Sequence, residues 1–420
     1  MKVLVLSINY APEMTGFAPH ITALNDFLAK RGHAVSVYTG FPFAPYWSRF
    51  PDFKGKLFSK ERLNGVDVVR VTHFIPRRPR SLWQRIAMES SFCLSVLLTG
   101  VLWSARDFDV ILYVGAQPSI AGLARIAAAC NRIPYVVKIT DLAAQVAEDV
   151  GIIGPGRLKN TLRRLEYWAY MRASGAIVIC EGFKDALTKA GYPPRQVSVI
   201  LESVDLDRIR PSADGDFRRA NGIGADDFVV LYSGSMGIKQ GLPNVVEAAR
   251  LLKGKTSRVK WVLAGEGEQR GEVESLVKSH KLTDCVLLLP LQPEDGIASM
   301  YAAADVLLLN QLRTVKDALI PGKLLIYMAS GKPVLAAVNE GSQGAILLRQ
   351  AEGGVVSEPE NPEALASAVE ALSHQPNRLK EMGARNREFA ERYFDRGKIF
   401  QAHEEFLLRV VAESRRAFVV

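Results

Sequence analysis

Cysteine is scarce in this 420-residue chain: there are four, Cys93, Cys130, Cys180 and Cys285. They lie far apart, form no CxxC pair and each sits in an apolar run. A disulfide-built secreted fold is therefore excluded, and all four are expected to be small core residues in a reducing compartment. Histidine is nearly as sparse: the six (His20, His33, His73, His280, His374, His403) show no metal spacing, and no HExxH, GxSxG or kinase signature occurs. Low-complexity stretches and short repeats are missing too. The uncharged run Ser90–Ala105 stops short of the roughly 20 residues that cross a bilayer. MKVLVLSINYAP carries one charge and a short apolar run before turn residues, so it reads as a first strand rather than a cleavable leader. With 48% apolar residues, a disordered chain is ruled out. At roughly 100–200 residues per domain, the length points to two or three domains.

The charge is lopsided. Up to Asp205 there are 25 Lys and Arg against 16 Asp and Glu, whereas from Leu206 onward the counts are 28 and 28. Ten basic and three acidic residues fall in Arg49–Arg85, among them Arg77, Arg78, Arg80 and Arg85, with Trp47 and Trp83 nearby. Such a patch attracts phosphates on nucleic acid, anionic lipid or substrate. The uncharged Ser90–Ala105 segment that follows favours a surface docking on a membrane, with a helix buried against the next strand as the bland alternative. No aromatic stacking platform or recognition helix accompanies the patch, so a nucleic-acid role is disfavoured.

Near-continuous Val/Ile runs alternate with helical patterns along the whole chain. VLVLSINY, AVSVYTG, VDVVRVT, VILYVGA, YVVKIT, AIVIC and VSVIL mark strands in the first half; FVVLYSG, VKWVLAGEG, VLLLP, DVLLLN, PVLAAV and the last αβ unit through AILLRQAEGGVVS mark them in the second. Between the first two, Ile21, Leu24, Phe27 and Leu28 form a helical stripe ended by Gly32. The pattern predicts α/β architecture, two doubly wound parallel sheets buried on both faces. The polar LESVDLDRIRPSADGDF reads as a linker. The expected organisation is a basic first domain over 1–205, a second over 206–395, and a helical tail over 396–420 packing back on the first. Ligands of such sheets bind at strand carboxyl ends, and a cleft between the two domains is the expected site.

Loops at strand ends supply the candidate chemistry. In YSGSMGIKQGLPN, Gly234, Gly237 and Gly241 let backbone N–H groups approach an anion, a helix start adds partial positive charge and Lys239 a full one. An ordinary turn with an exposed lysine is the alternative. In LIPGKLLIYMASGKP, Pro321 and Gly322 open a helix beside Lys323; two such starts suggest a diphosphate ligand. Gly16 permits close approach in the first loop, and AGEGEQ is a similar turn. Asp141, after YVVKIT, is placed to bind a hydroxyl or take its proton, or else to cap a helix.

Taken together, RGHAVSVYTG, VSVILESVDLDRIRP, YSGSMGIKQGL, PGKLLIYMASGKPVLAAV and EGGVVSEPENPEALASAV resemble, in order and spacing, a family-4 glycosyltransferase of the GT-B architecture. Within it they most resemble bacterial transferases of the colanic-acid and O-antigen kind, which build surface polysaccharide on a lipid carrier. The resemblance implies retaining transfer from a nucleotide-diphosphate sugar to a hydroxyl of a polyprenyl-diphosphate-linked glycan, with no metal or other cofactor. It implies a donor site of Gly16, Gly234, Ser235, Lys239, Gln240, Glu266, Leu291, Arg313, Pro321, Gly322, Lys323 and Leu324. Asp141 falls in the acceptor-side loop. Arg77, Arg78, Arg80, Trp83 and Arg85 would meet lipid or acceptor phosphates on the cytoplasmic face of the membrane. The chain departs from the family where two glutamates often stand, at Ala318 and Ile326. It also has Ser235 for an arginine and Thr140 for a histidine. Two rivals follow: an inactive homologue acting as a partner in polysaccharide assembly, and a nucleotide-sugar epimerase of the same architecture.

Overall fold

A computed structural model describes the chain except residues 14, 15, 45, 80, 144–155, 213–215, 256–257, 316–319 and 418–420. It divides into two compact units, Met1–Leu201 with Ile399–Val420, and Glu202–Lys398.

The first unit is built on eight strands: β1 Lys2–Leu6, β2 Ala34–Gly40, β3 Phe58–Leu63, β4 Val66–Val71, β5 Val110–Gly115, β6 Tyr135–Ile139, β7 Gly175–Val178 and β8 Val197–Val199. Their spatial order is β3-β4-β2-β1-β5-β6-β7-β8. All pairings are parallel except β3 with β4. Val3, Val5, Val37, Leu112, Val136 and Ile177 are essentially inaccessible, as strands covered on both faces must be. The helices are α1 Ala18–Lys30, α2 Leu82–Leu98, α3 Val101–Ser104, α4 Pro118–Asn131, α5 Arg157–Tyr170 and α6 Glu181–Lys189. The antiparallel β3 was not legible in the basic stretch: FSKERL alternates exposed and half-buried positions at an edge, where charge is tolerated.

The second unit has β9 Phe228–Ser233, β10 Val259–Ala264, β11 Val286–Leu289, β12 Val306–Asn310, β13 Val334–Ala337 and β14 Gly354–Ser357, in the order β11-β10-β9-β12-β13-β14 and wholly parallel. Its helices are α7 Phe217–Ala220, α8 Leu242–Leu252, α9 Arg270–Ser279, α10 Ile297–Ala302, α11 Gly322–Ala329, α12 Gln343–Ala351, α13 Pro362–Ser373 and α14 Pro376–Tyr393. Trp261, Leu263, Val246 and Leu308 anchor its core. In each sheet the winding reverses beside one strand, β1 or β9, which is where strand ends leave room for a ligand.

The last helix, α15 Arg396–Ala417, sends Phe400, Phe406, Leu407 and Val410 into the core of the first unit. A Cβ on Gly175 would stand 2.7 Å from the Phe406 ring, so glycine there lets the helix lie on β7. Polar ties complete the seam: His33 Nε2 meets Glu404 Oε1 at 2.7 Å and Arg31 reaches the same carboxylate. Burial pushes the Glu404 carboxyl up, but hydrogen bonds from His33 and Arg31 outweigh it and hold the group below its ordinary range.

Two expectations are corrected. Of the four cysteines only Cys180 is buried; Cys130 is exposed, and Cys93 and Cys285 are half-buried. The apolar segment read as one helix is two. It starts earlier, at Leu82, and breaks at Gly100, whose φ of 79° is left-handed backbone suited to glycine. Among the described residues no single helix is long and apolar enough to cross a membrane. The pair Leu82–Leu98 and Val101–Asp107 reaches that length only with a 63° bend.

Candidate functional site

In the second unit, the loop leaving β9 is strapped down by backbone. Gly234 N–H donates to Ala264 O, Met236 N–H to Glu266 O, and Gln269 N–H to Met236 O. Two glycines make this possible. A Cβ on Gly265 would lie 1.9 Å from Gly234 O, and one on Gly267 would lie 2.7 Å from the Met236 backbone. The GxG of AGEGE is therefore a packing requirement between two turns, and the Glu266 side chain points out toward Arg270 at 3.5 Å.

Beside this strap sits a polar cluster. Lys323 Nζ donates to Tyr232 Oη at 2.8 Å and to Gln240 Oε1 at 3.1 Å, and lies 4.1 Å from the centre of the Tyr232 ring. Tyr232 Oη in turn donates to Ser235 O at 2.5 Å. A Cβ on Gly234 would meet Lys323 Nζ at 3.4 Å. Burial pulls the Lys323 pKa down to about 7, because the charged form gives up water without gaining a carboxylate. A cation held this way, with no anionic partner among the described residues, is poised to be stabilised by an anionic ligand. Tyr327 Oη braces the cluster from below, donating to Ser233 O and accepting from Ser233 N–H.

The structure thus gathers Gly234, Ser235, Gln240 and Lys323, with Lys323 at the first turn of α11. Gly322 opens that helix with empty space where a Cβ would stand, so backbone there is accessible to an anion. Other expected members are placed differently. The start of α8 is capped from within: Leu242 N–H donates to Gln269 Oε1 at 3.2 Å, residue 243 is proline, and Asn244 N–H turns back to Gly241 O. The two open helix starts read from sequence reduce to one, at α11. Leu324 is fully buried and its N–H returns to Pro321 O, so it is core. Arg313 is committed to Glu358 and Pro359 O. Lys239 is half-buried, and its carbonyl accepts from Leu312 N–H. Leu291 stands exposed after β11, and Pro321 caps α11. Ala318 lies outside the described residues; Ile326 is half-buried on α11.

Sequence reasoning missed Asn310 and Gln269. Asn310, buried at the end of β12, donates through Nδ2 to Gln240 O at 2.6 Å and Gly241 O at 3.1 Å. The hydrophilic end of DVLLLN was the available signal: an amide closing an apolar strand must be satisfied somewhere.

In the first unit the strand ends open into a pocket of about 820 Å³. Part of its polar lining comes from the loops after β1, β5 and β6: Asn9 and Gly16, Gln117, and Asp141. Gly16 is exposed, with φ +62°. Glu166, buried on α5, accepts Ala143 N–H at 2.6 Å and so fixes the segment two residues beyond Asp141. Glu13, also buried, accepts from Asn9 Nδ2, Phe43 N–H and Ala44 N–H, tying the β1 loop to the one after β2. Neither glutamate was singled out from sequence, because buried carboxylates look like surface ones until their donors are seen.

Glu89 of α2 also faces this pocket. Burial raises its carboxyl against the Ser119 hydroxyl, the Ser119 N–H and Arg85, which lower it. Arg77 and Arg78 are exposed and Trp83 is 78% exposed, whereas Arg85 is partly withdrawn, its Nε donating to Pro79 O at 2.6 Å. Arg80 lies outside the described residues. Among the described residues, no three His, Cys, Asp or Glu side chains gather as metal ligands.

Two family models divide the chain much as its units do: the glycosyl transferase 4-like domain matches residues 15–201, and glycosyl transferases group 1 matches residues 214–389. The chain belongs to the family-4 glycosyltransferases of GT-B architecture. It is a transferase. Over 410 residues it is 25% identical to WcaI of Escherichia coli K12, named for a glycosyl transferase role in colanic acid biosynthesis, covering 96% of this chain and 98% of that one. In fold it is similar to Anabaena HepE, solved with UDP (TM-score 0.73, 18% identity, 97% of this chain and all of that one). It is equally similar to the sucrose-phosphate synthase of Thermosynechococcus elongatus (TM-score 0.75, 18% identity, 98% and 99%). The glycosyltransferase keeps its anion-seeking lysine in the group 1 region and Asp141 in the 4-like region.

Proposed function

We propose that this glycosyltransferase works in polysaccharide biosynthesis, moving a sugar with retention of anomeric configuration from a nucleotide diphosphate to a hydroxyl of a lipid-linked glycan. The single observation that carries the donor half is Lys323, a half-buried, desolvated cation with neutral partners beside a glycine loop at the switch point of its sheet. HepE, solved with UDP-glucose as well as with UDP, supports a nucleotide-sugar donor. WcaI supports the polysaccharide setting.

In the reaction, the bond between the anomeric carbon and the diphosphate oxygen breaks and a bond to the acceptor oxygen forms. The acceptor proton passes to an oxygen of the departing diphosphate, directly or relayed through a bound hydroxyl that gives up its own proton. Lys323 and the α11 start stabilise the charge that collects on the diphosphate, the part a metal ion would otherwise take. Asp141 orients the acceptor hydroxyl. The exposed Arg77 and Arg78, with Trp83, dock the enzyme on the anionic inner face of the plasma membrane as a peripheral protein.

A thermal-shift screen of UDP-, GDP- and dTDP-sugars tests the donor reading. One nucleotide series should raise Tm, and Lys323→Ala, more than Lys239→Ala, should weaken that nucleotide sugar in calorimetry. A flat screen, or unaltered affinity in both variants, would contradict it.

A further inference from the structure

The pocket of the first unit has two kinds of wall. Part of its polar lining comes from strand ends, with Arg85, Glu89 and Ser90 added by α2 and Ser119 by α4, and most of the apolar rest comes from three helices. On α2, Ile86, Cys93 and Leu97 fall on one stripe, seven and eleven residues from the first. From α5 come Leu162, Leu165 and Trp168, three apart, and from α4 Leu123 and Ile126. Gly122 lets α5 come close: a Cβ there would meet the Trp168 ring at 3.1 Å.

Among the described residues nothing covers the lip of this groove. Leu94 is 59% exposed, Leu165 53% and Trp168 46%, and on α2 and α3 the apolar surface continues through Trp83, Leu98 and Trp103. So large an uncovered apolar surface marks an interaction site. The exposed charge on its two bordering helices has one sign. Arg77 and Arg78 stand exposed ahead of α2, and Arg157, Arg163 and Arg164 stand exposed on α5. The only acidic residue between Phe74 and Ala105 is Glu89, which faces the groove and Ser119; the only one on α5 is Glu166, which is buried. Among their described residues, neither bordering helix therefore shows solvent an exposed carboxylate. A free sugar or nucleotide has no use for the apolar wall, and the basic rim matches phosphate.

We infer that this groove holds the hydrocarbon chain of the acceptor, an isoprenoid borne on a phosphate, drawn from the bilayer with its phosphate against the arginine rim and its sugar toward Asp141. The inference rests on the lipid-linked acceptor reading above and adds where the lipid goes. A chain in the groove gives the acceptor apolar burial that a water-soluble glycan lacks, and fixes the length between phosphate and reacting hydroxyl.

Titration calorimetry of the full chain with farnesyl diphosphate, against inorganic pyrophosphate, tests it. Farnesyl diphosphate should bind one to one, at least tenfold tighter than pyrophosphate. Cys93→Trp, which fills the groove from α2, should weaken it at least tenfold. Leu165→Glu, at a half-exposed lip position where folding is not at stake, should do so several-fold. Thermal protection by the nucleotide sugar serves as the folding control for both variants. Equal binding of pyrophosphate and farnesyl diphosphate, or farnesyl binding indifferent to both variants, would overturn the assignment. So would a concentration-dependent dimer lost in Cys93→Trp, which would give the groove to a second copy of the chain. Nucleotide-sugar protection alongside absent farnesyl binding sinks this inference alone; the reverse result sinks the donor reading and leaves the groove standing.

Discussion

At its switch point the second unit closes on itself. Gly265 and Gly267 press two turns together, Gln269 accepts the first N–H of α8, Asn310 holds the Gln240–Gly241 carbonyls, and one lysine has no anion among the described residues. At the corresponding place the first unit opens. Its strand ends give polar side chains to a groove whose other walls are helical, apolar and edged with arginine. One site is made of backbone and is nearly fixed before a ligand arrives; the other is made of side-chain surface. The contrast matches the two proposed ligands: preorganised groups at short range suit a diphosphate, whereas area and long-range charge suit a lipid-borne acceptor.

The sharpest way to break this contrast is to unpick the strap. Gly265→Ala puts a Cβ 1.9 Å from Gly234 O, and urea unfolding should show a loss of about 3–5 kcal/mol, the range of severe core mutants. Gly341→Ala, with open space around it, should stay within about 0.5 kcal/mol. If both behave alike, the two turns are not mutually dependent.

Next comes Lys323. A charge-assisted hydrogen bond to phosphate is worth about 1.5–3 kcal/mol, so Lys323→Met should weaken nucleotide-sugar binding by roughly 10–150-fold. The same change should stabilise the empty protein. Because the folded pKa is near 7 and the unfolded one near 10.5, the unfolded chain binds more protons between those values, and wild-type stability rises with pH across that window. The cost of the buried charge is complete below pH 7. The variant should therefore melt roughly 2–4 °C higher at pH 6, and its advantage should shrink toward pH 10. A variant that is less stable at pH 6 would contradict this.

Glu404 gives a smaller effect in the first unit. Its carboxyl is held below the ordinary range by His33 and Arg31 against burial, so the stability it contributes is present above about pH 4.5 and is lost as pH falls through its folded value. Glu404→Gln should cost about 1–2 kcal/mol at pH 7 and flatten the acid limb of the unfolding curve. An unchanged acid limb would remove this seam from the stability of the unit.

Much of the fold was legible. The Val/Ile runs located every strand but β3, whose FSKERL alternates charge at an edge and imitates a loop. In the site, glycine spacing and the PGK helix led to Gly234 and Lys323, because turns and helix starts are local. What pairs across 60 residues or more was not legible: Asn310 with Gln240, and Lys323 with Tyr232. Resemblance also drew in residues that the structure employs elsewhere. Leu324 is core, and Arg313 is spent on Glu358. The apolar groove was invisible because its walls come from three helices separated in sequence, with Leu165 and Trp168 of α5 meeting α2 and α4 only in the fold.

The central claim is that Lys323 is half-protonated near neutral pH and becomes fully charged when it meets the donor diphosphate. Calorimetry at pH 8 with the nucleotide sugar selected by the screen, in two buffers of different ionisation enthalpy, counts the protons taken up on binding. The account predicts uptake approaching one proton by the wild-type protein and none by Lys323→Met. Tight binding with no proton uptake in the wild-type protein would contradict it.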